Sequence, residues 1–556
     1  MAKSRIDSRT PEATQSFRYP LFASVNFRGI DEGKDQRFVN CFPEALVNQE
    51  TGAKKYYMIK RAGYSLYSTP KGAGGVGRGL YSWNGKVYSV IDNGIYSGTT
   101  NIGTIGTSTG WVSLVEMSSN AGTPYLCLSD GSKLYLISTT DVVTTIDNTQ
   151  VQSASITNAG SGGAPASGTW ATSGGGGAGA TGTFTITGGI ISAVTVTTRG
   201  SGYTSTPTIT ISTGALPTGG VLTANLCAFP PNNLISIKYF DGYIFAATAA
   251  GRIYNCDVGQ PTIWQPSNYL SAEMFPDDLV GLARQNNMLV AFGDNSTQFF
   301  YDAANATGSP LANAEQAVLQ VGSVNAASIM QQEQFVTWVA KGDTGGYFIY
   351  RLDGLTNTKK ISTEPIERIL NREGAALATC RAFPMRYQGH FFYVLQLTSR
   401  TILYDFEEDV WHEWEDTDGS KFPMVESNEF GYSPLMLHAS AGKIFKLDET
   451  LYQDNGTPFT VTIQTSRIDM ETMHRKFMWK FELVGDSQST SSPISVQYSD
   501  DDYNTWSTAR TLDLNNIHNF LHRLGSFRRR AFRLMHTVNT PLRLEAIEVE
   551  IEQGDY

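Results

Sequence analysis

Three acidic pairs, Asp277-Asp278, Glu407-Glu408 and Asp500-Asp501, are the first places where this chain could do chemistry. General acid–base work needs two carboxyl groups held apart across a cleft, and none of these pairs has a diagnostic spacing. Each sits among turn-forming residues, where solvated loop acids are the ordinary outcome. Of the seven histidines only His518 and His522 stand four apart, and no glutamate follows His518 to complete a helical zinc motif. The run from Gly72 to Gly79 is glycine-rich, yet no Lys-Ser/Thr and no helical pattern follows to make a phosphate cradle. No G-x-S-x-G nucleophile elbow is expected either. Ser499, Asp501 and Trp506 fit a Ser-x-Asp-x-Gly-x-x-Trp hairpin with Tyr503 in place of the glycine. In such a box the aspartate accepts backbone hydrogen bonds within a turn and the tryptophan packs beneath it, which is a structural role. The expectation is therefore a protein without catalytic, cofactor-binding or metal-binding residues.

What remains is a cluster of cations: Arg523, Arg528, Arg529, Arg530 and Arg533, interleaved with Leu524, Phe527, Phe532 and Leu534. Arg523 to Arg543 holds six arginines and no acid, whereas Asp500–Asp502 precede it and Glu545, Glu548, Glu550, Glu552 and Asp555 follow. Strand alternation puts Arg528 and Arg530 on one side and Arg529 on the other. Two uses are open: a ladder with the neighbouring acids inside the domain, or a docking face for an acidic partner, with a weak grip on DNA phosphate as a variant of the second.

The elements that must carry these residues are strands. Gly79–Trp83 turns at Asn84-Gly85 into Lys86–Val90, and an Asn-Gly between alternating strands is a hairpin signal. The unit returns as Pro124–Leu128 with Lys133–Ile137 and as Ile235–Tyr239, Asp241-Gly242, Tyr243–Ala246, with looser copies near Asp278, Ala327, Arg381 and Pro434. A spacing of roughly 45 to 55 residues is the period of a propeller blade. The predicted fold class is all-β: a β-propeller of six or seven blades, a Gly-rich β insertion and a C-terminal antiparallel β-sandwich-like domain. Aromatics in Thr401–Phe406 and Trp411–Trp414 are expected between neighbouring blades. Thr363–Arg372 is the best helical candidate, with Thr363 at its N-cap and Pro365 in its first turn.

Composition divides the chain. Residues 1–62 read as a polar, irregular N-terminal arm with Phe17, Tyr19, Pro20, Phe22 and Phe27 as isolated anchors; the first 61 hold eleven Lys+Arg against seven Asp+Glu. Residues 63–150 are the first part of the propeller. In 151–227 lies the Gly/Ser/Thr-rich insertion: residues 151–226 carry 17 glycines, no acid, and Arg199 as the only charge. Its Phe184–Thr187, Gly188-Gly189, Ile190–Val196 pattern has period two, which favours a small exposed β domain over a flexible linker. Ile156–Gly162 is echoed forty residues on by Val196–Gly202, and the pair resembles the Gly-Ser-Gly-Tyr repeat modules of phage structural proteins. Residues 228–457 complete the propeller and 458–556 form the C-terminal β domain.

The 556 residues carry a net charge of −10, which disfavours a dedicated nucleic-acid binder. No apolar run is long enough to span a bilayer, and no apolar stretch follows the charged N-terminus as in a secretory signal. The five cysteines are scattered and odd in number, and are expected to be reduced and buried.

Asn40-Cys41-Phe42-Pro43-Glu44, Lys60-Arg61-Ala62-Gly63-Tyr64, Gly77 to Tyr81, the blade from Asp278 to Tyr301 and the closing Arg523 to Leu534 together resemble the packaged-DNA stabilisation proteins of short-tailed bacteriophages, also called tail hub or nozzle proteins. The resemblance covers most of the chain outside 151–226. It implies a virion structural protein of the phage tail, assembled in the host cytoplasm, that docks below the portal–adaptor complex, extends the DNA channel and retains packaged DNA until ejection. It further implies a homo-hexameric ring. Partners would be the portal–adaptor protein, a tail fibre or tailspike, a tail needle and, transiently, double-stranded DNA. The alternative is a host-glycan-binding or glycan-degrading propeller of the tail.

Overall fold

The computed structural model describes residues 15–22, 36–47 and 54–554, apart from 73, 231, 232, 273, 333, 343, 344 and 355. Phe27 of the expected arm and Asp555 of the acidic terminus lie outside the described residues. The chain is all-β and carries a β-propeller. It divides into two compact units, one made of residues 69–360 with 439–442 and the other of 1–68, 361–438 and 443–556.

The first unit holds five blade-type antiparallel sheets. They start at the hairpin Gly77–Trp83 with Lys86–Ile91, whose strands register as Trp83↔Lys86 and Tyr81↔Tyr88. Asn84 and Gly85 take φ of 49° and 70°, the left-handed pair that a two-residue hairpin turn requires. The later sheets begin at Ser113–Ser118, Leu234–Phe240, Leu279–Gln285 and Val321–Ser323. Apolar residues from consecutive sheets share one core at each junction: Tyr88 and Val112 meet Leu126 and Tyr135, while Phe292 and Phe299 meet Trp338. Both faces of a blade are thus covered, which is why inner strands such as Met288–Gly293 are apolar almost throughout.

The insertion belongs to this unit. Its outer strands Val151–Asn158 and Val221–Leu226 pair antiparallel, and Cys227 N donates to Gln150 O at 2.9 Å, so the two ends meet at the blade. Between them a four-stranded sheet contains the expected hairpin, Ala178–Thr187 against Ile190–Ser201, paired Thr187↔Ile190. Trp170, Phe184 and Ile186 form its core. Gly182 is required there because a Cβ would stand 2.3 Å from the Trp170 ring and 2.0 Å from Thr195 O.

The second unit contains two further blade-type sheets, bringing those among the described residues to seven. One runs Arg381–Tyr387, His390–Gln396, Thr401–Asp405, Val410–Trp414. The other, Met424–Phe430, Ser433–His438 and Ile444–Asp448, takes its fourth strand from Gly63–Ser68, far earlier in the chain. Phe392, Trp414, Tyr64, Phe422 and Phe445 pack between these two sheets; of the aromatics expected between blades only Trp414 is among them, while Tyr404 packs on Phe406 and Trp411 and the Trp411 Nε1 donates to Ile361 O at 2.8 Å. The helix forms over Glu364–Glu373 with Thr363 at the N-cap. Thr363 makes no side-chain cap, and Ser362 Oγ reaches Glu367 Oε1 at 3.1 Å instead.

The remainder of this unit is a two-sheet β domain over one core that includes Phe459, Phe481, Phe532 and Val549. The N-terminal segment supplies four strands to the unit, Gln15–Pro20, Arg37–Val39, Cys41–Val47 and Lys54–Lys60, where an irregular arm was expected. Gln15–Pro20 runs along Arg543–Gln553, turning Phe17 and Tyr19 towards the core. Arg37–Val39 lies between Val410–Trp414 and Val461–Gln464, and so makes one continuous sheet of a blade and the C-terminal domain. All five cysteines are buried and unbridged.

Candidate partner interface

The arginine segment follows the edge of the strand Lys476–Gly485: Lys476 pairs Phe527, Phe477 pairs Ser526, and Leu524 N donates to Met478 O at 3.2 Å. Arg530 points inward and is 1% exposed. Its Nε and Nη2 donate to the two carboxylate oxygens of Asp500 at 2.7 and 2.8 Å, its Nη1 donates to Leu524 O at 2.8 Å, and its plane lies 4.0 Å from the Tyr498 ring centre. A planar guanidinium with five donors suits this fork, and the arrangement leaves none of Arg530 for a partner. Arg529 donates to Asp502 Oδ2 at 2.7 Å, and Arg467 donates to the other oxygen at 2.7 Å. Arg533 lies 3.8 Å from the Trp506 ring centre and reaches Gln464 Oε1 at 3.4 Å; burial and the neighbouring Arg37 lower its pKa.

Arg528 and Arg523 are exposed. Arg528 rests its Nη1 on Met473 O at 2.8 Å, and Arg523 takes a φ of 58° at the segment's start. Thus Arg528 and Arg530 do not share a face as strand alternation predicted. The chain bends at Arg528 and Arg529 between Ser526-Phe527 and Ala531–His536, and the bend breaks the period of two.

Beside the exposed arginines stand three apolar side chains the sequence reading passed over: Met473, Phe477 and Trp479, which are 51%, 40% and 50% exposed. In a regular strand Phe477, Trp479, Phe481 and Leu483 would all face the core. The register with Arg543–Gln553 shifts between Met478 and Lys480, a bulge that turns Phe477 and Trp479 out while Met478 and Phe481 stay buried. Trp479 Nε1 donates to Glu552 Oε2 at 3.0 Å. Lys476 holds the base of this edge, its buried ammonium donating to Thr472 O, His474 O and Arg528 O at 2.6 to 3.0 Å. Arginine, tryptophan and methionine on a rigid edge is the composition of a protein–protein hot spot.

The box residues build a turn. Ser499 Oγ donates to Asp501 Oδ1 at 2.8 Å, Thr505 N donates to the same oxygen at 2.9 Å, and Thr505 Oγ1 donates to Oδ2 at 2.6 Å. The Thr505 hydroxyl and backbone hydrogen bonds hold the Asp501 carboxyl down at about 2. Asp502 and Tyr503 both take positive φ, 58° and 65°, a backbone region that glycine enters without steric cost. Of the acidic pairs, Asp277 caps a loop by accepting from Asn295 N and Ser296 N at 2.9 Å each. The letters Gly106-Thr107-Ser108-Thr109-Gly110 do match G-x-S-x-G, which the sequence reading overlooked. They form a loop between two blade strands with no helix after them, and Thr107 accepts from the buried Arg78 there.

Two family-like motifs turn out to be internal anchors. The Arg61 guanidinium, fully buried, donates to both oxygens of Asp454 at 2.8 and 2.6 Å, to Asn40 Oδ1 at 2.9 Å and to Glu415 O at 3.1 Å. Asn40 takes a φ of 56°, and its amide donates to Thr460 O at 2.8 Å. The N-terminal strands, a blade and the C-terminal domain therefore meet at one polar knot. Lys60 beside it donates to Val538 O at 2.7 Å; burial, then Arg61, lowers its pKa to about 7. Among the described residues no group of three or more His, Cys, Asp or Glu is placed to hold a metal ion.

Residues 202–418 match the family model described as bacteriophage P22 Gp10, beta-propeller. The match takes in the blade from Asp278 to Tyr301 and leaves out the arginine segment. No curated protein matches the chain in sequence. Among solved structures, the WD40 beta-propeller domain of Doa1 is similar at 9% identity, covering 70% of this chain and 98% of that one, with a TM-score of 0.32. BBS1N in complex with ARL6DN is similar at 9% identity, 77% and 99% coverage and a TM-score of 0.33. Virginiamycin B lyase from Staphylococcus aureus is similar at 10% identity, 70% and 98% coverage and a TM-score of 0.27.

Proposed function

From the match of residues 202–418 to the phage P22 Gp10 propeller model we propose that the chain belongs to the bacteriophage packaged-DNA stabilisation family and is the hub or nozzle of a short phage tail. It is a phage structural protein that stabilises packaged DNA. In the finer reading it docks below the portal–adaptor complex as a homo-hexameric ring, extends the DNA channel and retains the genome until ejection. It has no catalytic step to perform. A tail fibre or tailspike and a tail needle attach to it, and it is assembled into the virion in the host cytoplasm.

The observation that carries this reading is the family match itself. The bulged edge with Arg523, Arg528, Met473, Phe477 and Trp479 supports a docking role, because it presents hot-spot residue types on a frame held by Lys476. A net charge of −10 suits a channel through which DNA must slide, since a wall that gripped phosphate would stall it. The test is assembly on purified portal–adaptor complex, followed by mass photometry. The reading expects a defined ring of added mass, weakened by Arg523→Glu with Arg528→Glu. A chain that stays free of the complex at all salt concentrations contradicts it.

A further inference from the structure

In the unit of residues 69–360, a cavity of about 780 Å³ opens beside the Asp241-Gly242 turn of one blade and the Asn286-Asn287 turn of the next. Its lining includes Asp241, Arg284, Gln285, Tyr301 and Asp302. The carboxyls of Asp241 and Asp302 face each other at hydrogen-bonding range, which raises the pKa of Asp241 and lowers that of Asp302. Ala304 N donates to Asp302 Oδ1 at 2.7 Å, fixing that carboxylate as an acceptor. Gln285 is 2% exposed, and its Nε2 donates to Gln334 O at 2.6 Å. Its Oε1 has no hydrogen-bond partner among the described residues, an uncommon state for a buried acceptor. Arg284 is tethered through Nε to Asn286 O at 3.1 Å and lies 5.7 Å from the Phe240 ring centre. Among the described residues its two terminal nitrogens make no hydrogen bond. Tyr301, 43% exposed, offers an aromatic surface to the same space.

This donor and acceptor set discriminates between ligand classes. A phosphate or carboxylate ligand would meet two aspartates. A divalent cation would find two carboxylates and the Gln285 carbonyl, but it would share the space with the guanidinium of Arg284, whose charge repels it. An apolar ligand would leave the Gln285 carbonyl and the terminal nitrogens of Arg284 without partners. A neutral polyol answers all of them: adjacent hydroxyls donate to the aspartates and to Gln285 Oε1, a hydroxyl or ring oxygen accepts from Arg284, and the C–H face of the ring lies on Tyr301.

We propose that this cavity is a saccharide site taking a neutral pyranose unit with adjacent free hydroxyls, as found in polysaccharide chains. The site is independent of the channel role, so its failure would leave the hub reading untouched. The experiment is saturation-transfer-difference NMR and titration calorimetry on the full chain with cellotetraose, mannotetraose and isomaltotetraose, and with CaCl2 alone as a separate arm. The expected result is saturable binding of at least one oligosaccharide, weakened about tenfold or more by Asp241→Asn and by Tyr301→Ala. The exposed position of Tyr301 and unchanged melting curves guard against misfolding. The proposal is overturned if all three sugars give no transfer at millimolar concentration, or if both folded variants bind as the parent does. Calcium binding lost in Asp241→Asn, without sugar binding, would also overturn it in favour of a cation site.

Discussion

Arg61 and Arg530 each put a full charge into the interior, and each is answered by an aspartate in fork geometry, at Asp454 and Asp500. Breaking such a pair from one side strands the other charge, so Arg61→Leu is expected to destabilise the second unit by about 3–5 kcal/mol in urea unfolding. Arg61→Leu with Asp454→Leu should recover much of that loss. A double variant no better than the single one would show that Asn40 and the Glu415 carbonyl, rather than the charge pair, hold the knot. Lys60 gives a pH signature. Its pKa is about 7 when folded and about 10.5 unfolded, so between these values the unfolded chain binds the extra proton and stability rises with pH. Lys60→Met should flatten that rise between pH 7 and 10; an unchanged slope would place the ammonium in solvent. At the arginine segment, Arg523→Glu and Arg528→Glu should leave thermal stability within about 0.5 kcal/mol, because neither guanidinium has a buried carboxylate partner. The cluster was visible as a charge pattern in the sequence. Which members turn inward was not, because that depends on the bend at Arg528-Arg529 and on an aspartate thirty residues away from Arg530.

At the scale of elements, the insertion is built to be removable. Val151 pairs Leu226 and Gln150 O accepts from Cys227 N, so a short glycine bridge can replace residues 152–225 without moving the blade that carries them. The shortened chain is expected to keep the parent's cooperative unfolding of the propeller. Its collapse or aggregation would mean that contacts such as Gln152 Oε1 with Trp264 N are needed by the blade itself. The hairpins were legible because Asn-Gly and Asp-Gly turns sit between alternating strands, as at Asn84-Gly85 and Asp241-Gly242. Two features were not. Gly63–Ser68 completes a sheet whose other strands lie more than three hundred residues later, and no local pattern marks such a partner. The bulge at Met478–Lys480 re-aims Phe477 and Trp479 through pairing with Arg543–Gln553, which period-two reading alone assigns to the core.

On the scale of the whole molecule, residues 202–418 match the phage P22 Gp10 propeller model, and an arginine and aromatic edge stands on the β domain of the second unit. The net charge of −10 predicts that the proposed ring, once assembled, holds double-stranded DNA weakly even at low ionic strength. Tight, salt-sensitive binding in a filter or mobility assay would argue against a smooth channel wall. The resemblance was read from the order of spaced motifs along the chain, while the match itself lies in residues 202–418, which hold the last strands of the insertion, three blade-type sheets, the helix Glu364–Glu373 and a fourth blade-type sheet. The most direct measurement is nuclease accessibility of the genome in particles assembled without this chain. The account predicts heads that package DNA and then release it to the nuclease, with protection restored when the purified chain is added back. Heads that stay full and protected but fail to adsorb to the host would contradict it.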